Sequence, residues 1–266
     1  MRTSIIKANL AKDLPSLIVT AHFTDPSVCE IMSLMGFHGI WLDLEHHAYS
    51  VETANELMRA SRVGNSDILA RCARGEYMRI GRLLEAGATG ILYPRCADAD
   101  EAREVAKWAK FYPIGLRGVD GGNPDMPYLA MPIDEYIRVA NEQTFVGIQI
   151  EDETSLSHAE EMAAVEGVDF LFLGPGDFSI LSGVAGQMDH PKIQNAMETI
   201  AKAAKNTGKH WGRPVGSLEQ AKSLIDMGAR IMAGGADIVF LRKGLDTLQE
   251  EYKKLGFSFE SSLPPL

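Results

Sequence analysis

GIQIED, residues 147–152, has the alternating pattern of a buried β-strand and ends in carboxylates, and FLGPGD, residues 172–177, is built the same way. Both stretches belong to a series of short β-rich runs that alternate with longer runs of helical period. We predict strands at residues 16–22, 39–46, 67–73, 90–96, 144–152, 168–174, 210–215 and 230–234. Strand–helix alternation with short links is typical of a parallel sheet, and this number of units predicts closure into a (β/α)8 TIM barrel.

The size and charge of the chain restrict its organisation and its partners. Its 266 residues match one barrel of about 250 residues, so we predict a single barrel domain over residues 1–266. The net charge of −10 argues against nucleic acid and anionic membranes as partners. Three scattered cysteines, with neither a signal-peptide pattern nor a long apolar run in the sequence, favour a cytoplasmic location.

Two acidic side chains are predicted to meet at one mouth of the barrel. Alternation along the fifth strand turns Gln149 and Glu151 to the barrel interior, where a carboxylate needs a cation or hydrogen-bond donors. Asp177 follows the sixth strand, past a Gly-Pro-Gly turn that lets a ligand approach backbone N–H groups. Two carboxylates with water in the other positions suit Mg²⁺ or Mn²⁺. In the alternative interpretation, Asp177 caps a helix and Glu151 pairs with an arginine.

Histidine and arginine follow the second, third and fourth strands. The second strand ends in DLEHH, and His46 or His47 is the natural proton carrier near neutral pH. Metal ligation and a structural role are the alternatives for these histidines. Arg71 ends the third strand, where a guanidinium can fork onto a carboxylate or an enolate oxygen. Arg95, at the end of the fourth, is placed to contact an acidic substrate or to form a surface pair.

Lysine does not occur in the runs predicted as strands two to six. An enzyme that works through a Schiff base needs a lysine on a strand, facing the barrel interior. Chemistry on a carbonyl group in this barrel would therefore need a metal ion as the electron sink.

Six short motifs follow one another along the chain in a fixed order. They are DLEH at residues 43–46, Arg71, LEAGA at 84–88, RG at 117–118, QIE at 149–151 and GPGD at 174–177. In this order they resemble the HpcH/HpaI aldolase family, over most of the chain from about residue 14 to about residue 248. The resemblance implies a TIM barrel of the phosphoenolpyruvate/pyruvate-domain type. It also implies a class II aldehyde-lyase that needs Mg²⁺, Mn²⁺ or Co²⁺ and cleaves or forms a 4-hydroxy-2-oxo acid from pyruvate, by way of its enolate, and an aldehyde.

The resemblance assigns the central residues by position. Glu151 and Asp177 look like the metal ligands, and His46 looks like the catalytic acid/base. Arg71 looks like the residue that holds the pyruvate oxygens. Asp43 resembles the acid that orients the site near His46.

The resemblance also assigns residues at the edge of the site and between subunits. Gln149 would line the oxo-acid pocket, and the backbone at Gly176 and Asp177 would hold the substrate carboxylate. Glu85 stands where the family has an acidic residue that reaches the site of a neighbouring subunit. Family members form hexamers with exchanged terminal helices. We therefore expect a homohexamer in which the C-terminal helix and tail, from about residue 243 to residue 266, pack on a neighbouring subunit.

Three departures from the family pattern leave the aldehyde open. His22 ends the first strand where the family usually shows Gly and Trp, and His47 stands where a small residue is common. The third is the run GGNP at residues 121–124, within a glycine-rich segment, residues 115–125, that we expect to start near the strand ends, where barrel active sites form. Two other functions stay open: a decarboxylase or carbon–carbon lyase for oxaloacetate-like or CoA-linked acids, and a barrel without activity that serves in binding.

Overall fold

The computed structural model describes residues 3–264, and in them eight parallel strands close into a barrel. The strands are β1 (Ser16–Ala21), β2 (Gly39–Asp43), β3 (Asp67–Arg71), β4 (Gly90–Tyr93), β5 (Phe145–Ile150), β6 (Phe170–Leu173), β7 (His210–Pro214) and β8 (Ile231–Ala236). Each pairs with the next in chain order, and β8 pairs with β1. The predicted (β/α)8 barrel is confirmed. The first seven strands end earlier than predicted, because the residues at their C-terminal ends turn out of the sheet into loops.

The helices surround the barrel. They are α1 (Ile5–Leu10), α2 (Pro26–Leu34), α3 (Val51–Ala60), α4 (Tyr77–Ala86), α5 (Ala99–Ala109), α6 (Ile133–Gln143), α7 (Glu153–Ser157), α8 (Ala159–Ala163), α9 (Pro175–Leu181), α10 (Pro191–Thr207), α11 (Leu218–Asp226) and α12 (Asp237–Lys253). α2, α3, α5 and α11 follow polar residues whose side chains accept a first-turn amide, namely Asp25, Ser50, Asp98 and Ser217.

The barrel interior is filled by aromatic rings that lie against glycines of the preceding strand. A Cβ atom on Gly90 would lie 2.0 Å from the ring of Phe145, and one on Gly147 would lie 2.2 Å from the ring of Phe170. At the N-terminal mouth, Asp67 accepts hydrogen bonds from the Ser4 hydroxyl and the Ile6 amide, so α1 covers that end. With the interior filled in this way, the predicted site residues other than Glu85 lie at the C-terminal mouth.

β8 extends further than the sequence pattern predicts. We predicted its end at the first of two glycines, but the strand continues to Ala236. Its register with β1 shifts between Ile18 and Thr20, which marks an inserted residue. Gly235 has φ 98°, a left-handed backbone that glycine adopts without steric cost. The bulge carries the chain on to Asp237 at the C-terminal mouth, and the sequence prediction missed this residue.

The glycine-rich segment, residues 115–125, lies at the opposite mouth from the one predicted. It follows α5, which runs back toward the N-terminal ends of the strands, and the amide of Arg117 donates to the carbonyl of Lys110 there. Arg117 also pairs with Asp125 at 2.7 Å, and the Tyr136 hydroxyl donates to the same carboxylate. The prediction was wrong because the segment comes after α5, and a helix that follows a barrel strand returns the chain to the N-terminal mouth.

A buried lysine holds the N-terminal end of β5. The ammonium group of Lys110 donates to the backbone oxygens of Asn141 and Thr144 and lies 4.0 Å from a carboxylate oxygen of Asp169. Burial lowers the pKa of Lys110 to about 8, although the charge of Asp169 works in the opposite direction. The native chain therefore releases this proton at a lower pH than the unfolded chain does.

This lysine gives the stability a predicted pH dependence. Above about pH 8, the unfolded chain keeps Lys110 protonated while the native chain does not, so the unfolded state binds more protons. The contribution of this site to the free energy of unfolding then rises with pH, by up to about 1.4 kcal/mol per pH unit. Denaturant titrations between about pH 8 and about pH 10 should show the wild type gaining stability relative to Lys110→Met. Parallel pH curves for the two proteins would contradict the lowered pKa.

The remaining general expectations concern membranes and cysteines. Within residues 3–264, no helix combines the length and apolar character needed to cross a bilayer. Cys29, Cys72 and Cys96 are buried free thiols, as their scattered positions predict.

Candidate active site

Glu151 and Asp177 converge at the C-terminal mouth of the barrel. Glu151 follows β5 and is 2% exposed, and Asp177 lies in the first turn of α9, after β6. One oxygen of Glu151 accepts a hydrogen bond of 2.9 Å from the Gln149 amide group, and the other accepts one of 2.9 Å from the backbone of Arg95. Arg95 has φ 50°, and its guanidinium lies 3.4 Å from Asp177. A Cβ atom on Gly174 would lie 2.5 Å from Glu151, so glycine is needed here.

The two carboxylates form a site that fits a hard cation. Burial raises the pKa of Glu151 to about 7; the backbone N–H of Arg95 opposes this shift, and the charge of Asp177 adds to it. A divalent cation would offset both the desolvation and the repulsion between the carboxylates. Within residues 3–264, no group of three or more His, Cys, Asp or Glu side chains is arranged to hold a metal ion. The oxygen-only pair suits Mg²⁺ or Mn²⁺, with water or substrate at the other positions.

Arg71 connects the β2 side of the mouth to the β5 side. It is buried at the end of β3, and its guanidinium makes bonds of 2.9 Å and 2.5 Å to the two oxygens of Asp43. It also donates to Gln149 at 3.3 Å and lies over the ring of Trp41, 4.9 Å from its centre. Burial raises the pKa of Asp43, but the hydrogen bonds and charge of Arg71 outweigh it and hold this pKa below its ordinary value. The pair is therefore ionised and fixed in position.

His46 lies in the turn after β2, with its imidazole half-exposed at the rim of the mouth. Its Nε2 is 3.8 Å from a carboxylate oxygen of Glu45, and that oxygen is 3.3 Å from Arg71. Asp43 contacts His46 through the backbone, since its Oδ1 accepts the His46 amide at 3.3 Å. Glu45 is thus the acidic side chain beside the imidazole. Strand alternation does not predict this neighbour, because Glu45 lies in the turn after Asp43, the last residue of β2.

His22, His47 and Asp237 form a second polar cluster at the same mouth, on the side of β8, β1 and β2. The rings of His22 and His47 are 4.4 Å apart between centres, and His22 Nδ1 lies 3.3 Å from Asp237. Asp237 is buried and also accepts the backbone amides of His22 and Phe23 at 2.9 Å. Because β1 lies across the closed barrel from β5, this cluster faces Glu151 across the mouth.

Glu85 lies away from the C-terminal mouth of its own barrel. It is half-buried at the C-terminal end of α4, near the glycine-rich segment. Burial raises its pKa, and the charge of Arg117 opposes this shift while Asp120 and Asp125 add to it. The structure therefore does not bring Glu85 together with the other predicted site residues of the same chain.

Comparison with known proteins places the chain in a family. A model of the HpcH/HpaI aldolase/citrate lyase family matches residues 21–243, which is most of the chain. The chain belongs to this family. The family expected from the motifs is confirmed, and aldolases of this kind are generally dependent on a divalent metal ion.

Individual members of the HpcH/HpaI family are similar over nearly the whole chain. A hydroxypyruvate/pyruvate aldolase of Delftia acidovorans is 34% identical over 89% of this chain and 88% of the relative. A 4-hydroxy-2-oxo-heptane-1,7-dioate aldolase of Escherichia coli is 29% identical over 92% of this chain and 94% of the relative. The crystal structure of an HpcH/HpaI family protein from Burkholderia cenocepacia superposes with a TM-score of 0.87, at 27% identity, over 94% of this chain and 100% of the other. The names of the two enzymes favour aldol chemistry over a decarboxylase or an inactive barrel.

Proposed function

We propose that this protein is a divalent-metal-dependent aldolase that cleaves or forms a 4-hydroxy-2-oxo acid through pyruvate enolate. The observation that carries the proposal is the buried Glu151 carboxylate, which lies near Asp177 and is linked through Gln149 to the guanidinium of Arg71. Family relatives whose names state pyruvate-type aldolases support it. The substrates would be pyruvate and an aldehyde.

Glu151 and Asp177 would hold the cation, which we propose to be Mg²⁺, Mn²⁺ or Co²⁺. When bound, a divalent cation polarises a 2-oxo group and lowers the free-energy cost of forming the enolate. The first-turn amides of Gly176 and Asp177 have no partner within α9, and they would bind the substrate carboxylate. Gln149 would line the oxo-acid pocket while it fixes the position of Glu151.

Arg71 and His46 would carry the proton and charge movements. The guanidinium of Arg71 is already held by Asp43 and Gln149, so it can stabilise a negative oxygen without reorganising. His46, beside Glu45 at the rim, would move the proton at the aldehyde oxygen, with Asp43 fixing the turn that carries it.

Removal of the metal ion tests the proposed mechanism. Chelated protein is expected to lose aldol cleavage and to regain it with Mn²⁺, Co²⁺ or Mg²⁺, because no strand lysine can replace the cation. Glu151→Gln and Asp177→Asn should each abolish Mn²⁺ binding, measured by titration calorimetry, while circular dichroism shows a retained fold. Full activity after thorough chelation, or covalent trapping of pyruvate by borohydride, would contradict the mechanism.

We also propose that the protein assembles as a homohexamer in which Glu85 serves a neighbouring site. The C-terminal helix supports assembly, because several large apolar side chains of α12 are about half-exposed, among them Phe240, Leu241, Leu245 and Leu248. A large exposed apolar face of this kind usually marks a surface that binds another protein. The partner in this assembly would be another copy of the same chain. The predicted location of the protein stays the cytoplasm.

Mixing two inactive variants tests the oligomer and Glu85 together. Glu85→Ala and Glu151→Gln should each lack cleavage activity alone. If Glu85 acts across subunits, mixed oligomers regain activity, because a site with intact Glu151 can receive Glu85 from a neighbour. Light scattering gives the subunit number. An active monomer at low concentration, or no complementation in confirmed mixed oligomers, would contradict the role of Glu85.

A further inference from the structure

The mouth of the barrel has two polar halves, and the proposed pyruvate chemistry uses one of them. Glu151, Asp177 and Arg71 lie on the side of β3, β5 and β6. His22 and His47 lie on the side of β1 and β2, across the closed barrel from Glu151. The electrostatic neighbours of His47 include Asp43 and Arg71, so the histidine pair borders the central residues. A second substrate that reacts with the pyruvate carbon would lie against this half.

The histidine pair is held in place from behind. His22 is anchored to Asp237, which lies at 3.3 Å from its Nδ1 and also binds its backbone amide. The ring of His47 lies between the rings of His22 and Tyr49, with centre distances of 4.4 Å and 5.8 Å. Tyr49 is itself fixed, because its hydroxyl accepts the backbone amide of Asp43 at 2.7 Å. Such support is typical of a binding site rather than of freely moving surface side chains.

The pair has unused hydrogen-bonding capacity. His47 Nδ1 is buried and makes no hydrogen bond to any residue between 3 and 264. Burial lowers the pKa of His47 and so favours its neutral imidazole. A neutral imidazole offers one donor and one acceptor. This combination matches a hydroxyl group, which also has one donor and free acceptor positions.

The surrounding charge disfavours an anionic ligand. Asp43, Glu45 and Asp237 lie around the pair, and the nearby cation, Arg71, is already bonded to Asp43 and close to Glu45. A carboxylate placed against the two imidazoles would add a further negative charge beside these acids, and Arg71 is already paired. A hydroxyl group meets no such repulsion.

We propose that His22 and His47 form the aldehyde subsite and select an uncharged aldehyde that carries a hydroxyl group next to the carbonyl. This inference rests on the proposed aldolase function and specifies its second substrate. The two imidazoles bind the hydroxyl group, and they determine specificity without taking part in enolate formation. Aldehydes with a terminal carboxylate bind poorly at this side of the mouth.

The test compares aldehydes that differ by one group. Wild-type protein with Mn²⁺ and pyruvate is assayed with glycolaldehyde, with acetaldehyde, which lacks the hydroxyl group, and with succinic semialdehyde, which carries a carboxylate. We expect the wild type to prefer glycolaldehyde to both. His22→Phe and His47→Phe keep a ring but remove its hydrogen bonds. Each should lower the ratio of kcat/KM for glycolaldehyde to that for acetaldehyde by about 5–10-fold, the effect of one lost hydrogen bond.

Two controls separate the possible failures. His38→Gln changes a histidine directly before β2, at the N-terminal mouth, and should leave the ratio unchanged. Deuterium exchange into pyruvate by the wild type reports the proposed function without an aldehyde. If exchange occurs but the Phe variants keep the wild-type ratio, or the wild type prefers succinic semialdehyde, the subsite is wrong and the aldolase stands. If the wild type with Mn²⁺ neither exchanges nor cleaves, the proposed function fails and the subsite fails with it.

Discussion

Replacing Arg71 by alanine is expected to lower aldol cleavage and pyruvate proton exchange together, by about 10²–10³ each. Both reactions pass through the enolate, and the change removes the fixed cation that stabilises the enolate oxygen. The same change leaves Asp43 as a buried carboxylate without its partner. Breaking a buried pair in this way costs about 3–5 kcal/mol, so the free energy of unfolding should fall by a similar amount.

A double variant separates the lost chemistry from the lost stability. Arg71→Met combined with Asp43→Asn removes both charges of this pair, so denaturant unfolding should recover part of the wild-type stability, while Glu45 still lacks its arginine neighbour. The rates should stay low in the double variant. Arg74→Met is the matched control, because Arg74 is half-exposed and binds Glu101 away from the site residues. Rates that recover together with stability would contradict a direct role of Arg71.

His46→Ala is expected to lower aldol cleavage by about 10²–10⁴, the usual effect of losing a general acid or base. Pyruvate exchange in heavy water then shows which proton the imidazole moves. If exchange survives, His46 acts only at the aldehyde oxygen, and if it is lost as well, His46 also serves the methyl carbon. Cleavage at the wild-type rate would show that another base acts, and His47 and His22 would be tested next.

Glu45→Gln is the companion to this experiment. It keeps the size of the side chain but removes the charge that lies 3.8 Å from the imidazole of His46. If Glu45 only orients the imidazole, the loss of rate should be clearly smaller than in His46→Ala, and the pH–rate profile should shift. An effect as large as that of His46→Ala, with an unshifted profile, would instead point to a direct role of Glu45.

The sequence could predict the barrel and the residues on its strands, because both follow from the two-residue period of a strand. This alternation turns Gln149 and Glu151 toward the barrel interior. Asp177 follows the next strand, so it lies near Glu151 at the same mouth. The bond between Arg71 and Asp43 needs only that β2 and β3 are neighbours in register. These contacts depend on local pattern plus the order of strands, which a (β/α)8 barrel fixes.

The parts that could not be predicted depend on irregular backbone. Asp237 reaches the mouth only because a bulge lengthens β8 past two glycines, which read as a turn in the sequence. The glycine-rich segment, residues 115–125, lies at the N-terminal mouth because it follows α5, which runs back from the C-terminal ends of the strands. The neighbour of the His46 imidazole is Glu45 because the turn after β2 is bent by hydrogen bonds to Asp43. Loop geometry of this kind carries no periodic signal in the sequence.

Asp237 is the first residue of α12 as well as the anchor of His22. The helix with the half-exposed apolar side chains that we propose for assembly therefore begins at the residue that anchors the proposed aldehyde subsite. Whatever holds α12 in place also fixes the Asp237 carboxylate, and whatever loosens the helix gives His22 more freedom. If the chain assembles through α12 as proposed, quaternary structure and substrate selectivity would be thermodynamically linked. Diluting the oligomer should blunt discrimination between aldehydes before it unfolds the barrel, and a well-bound aldehyde should in turn strengthen the association of subunits.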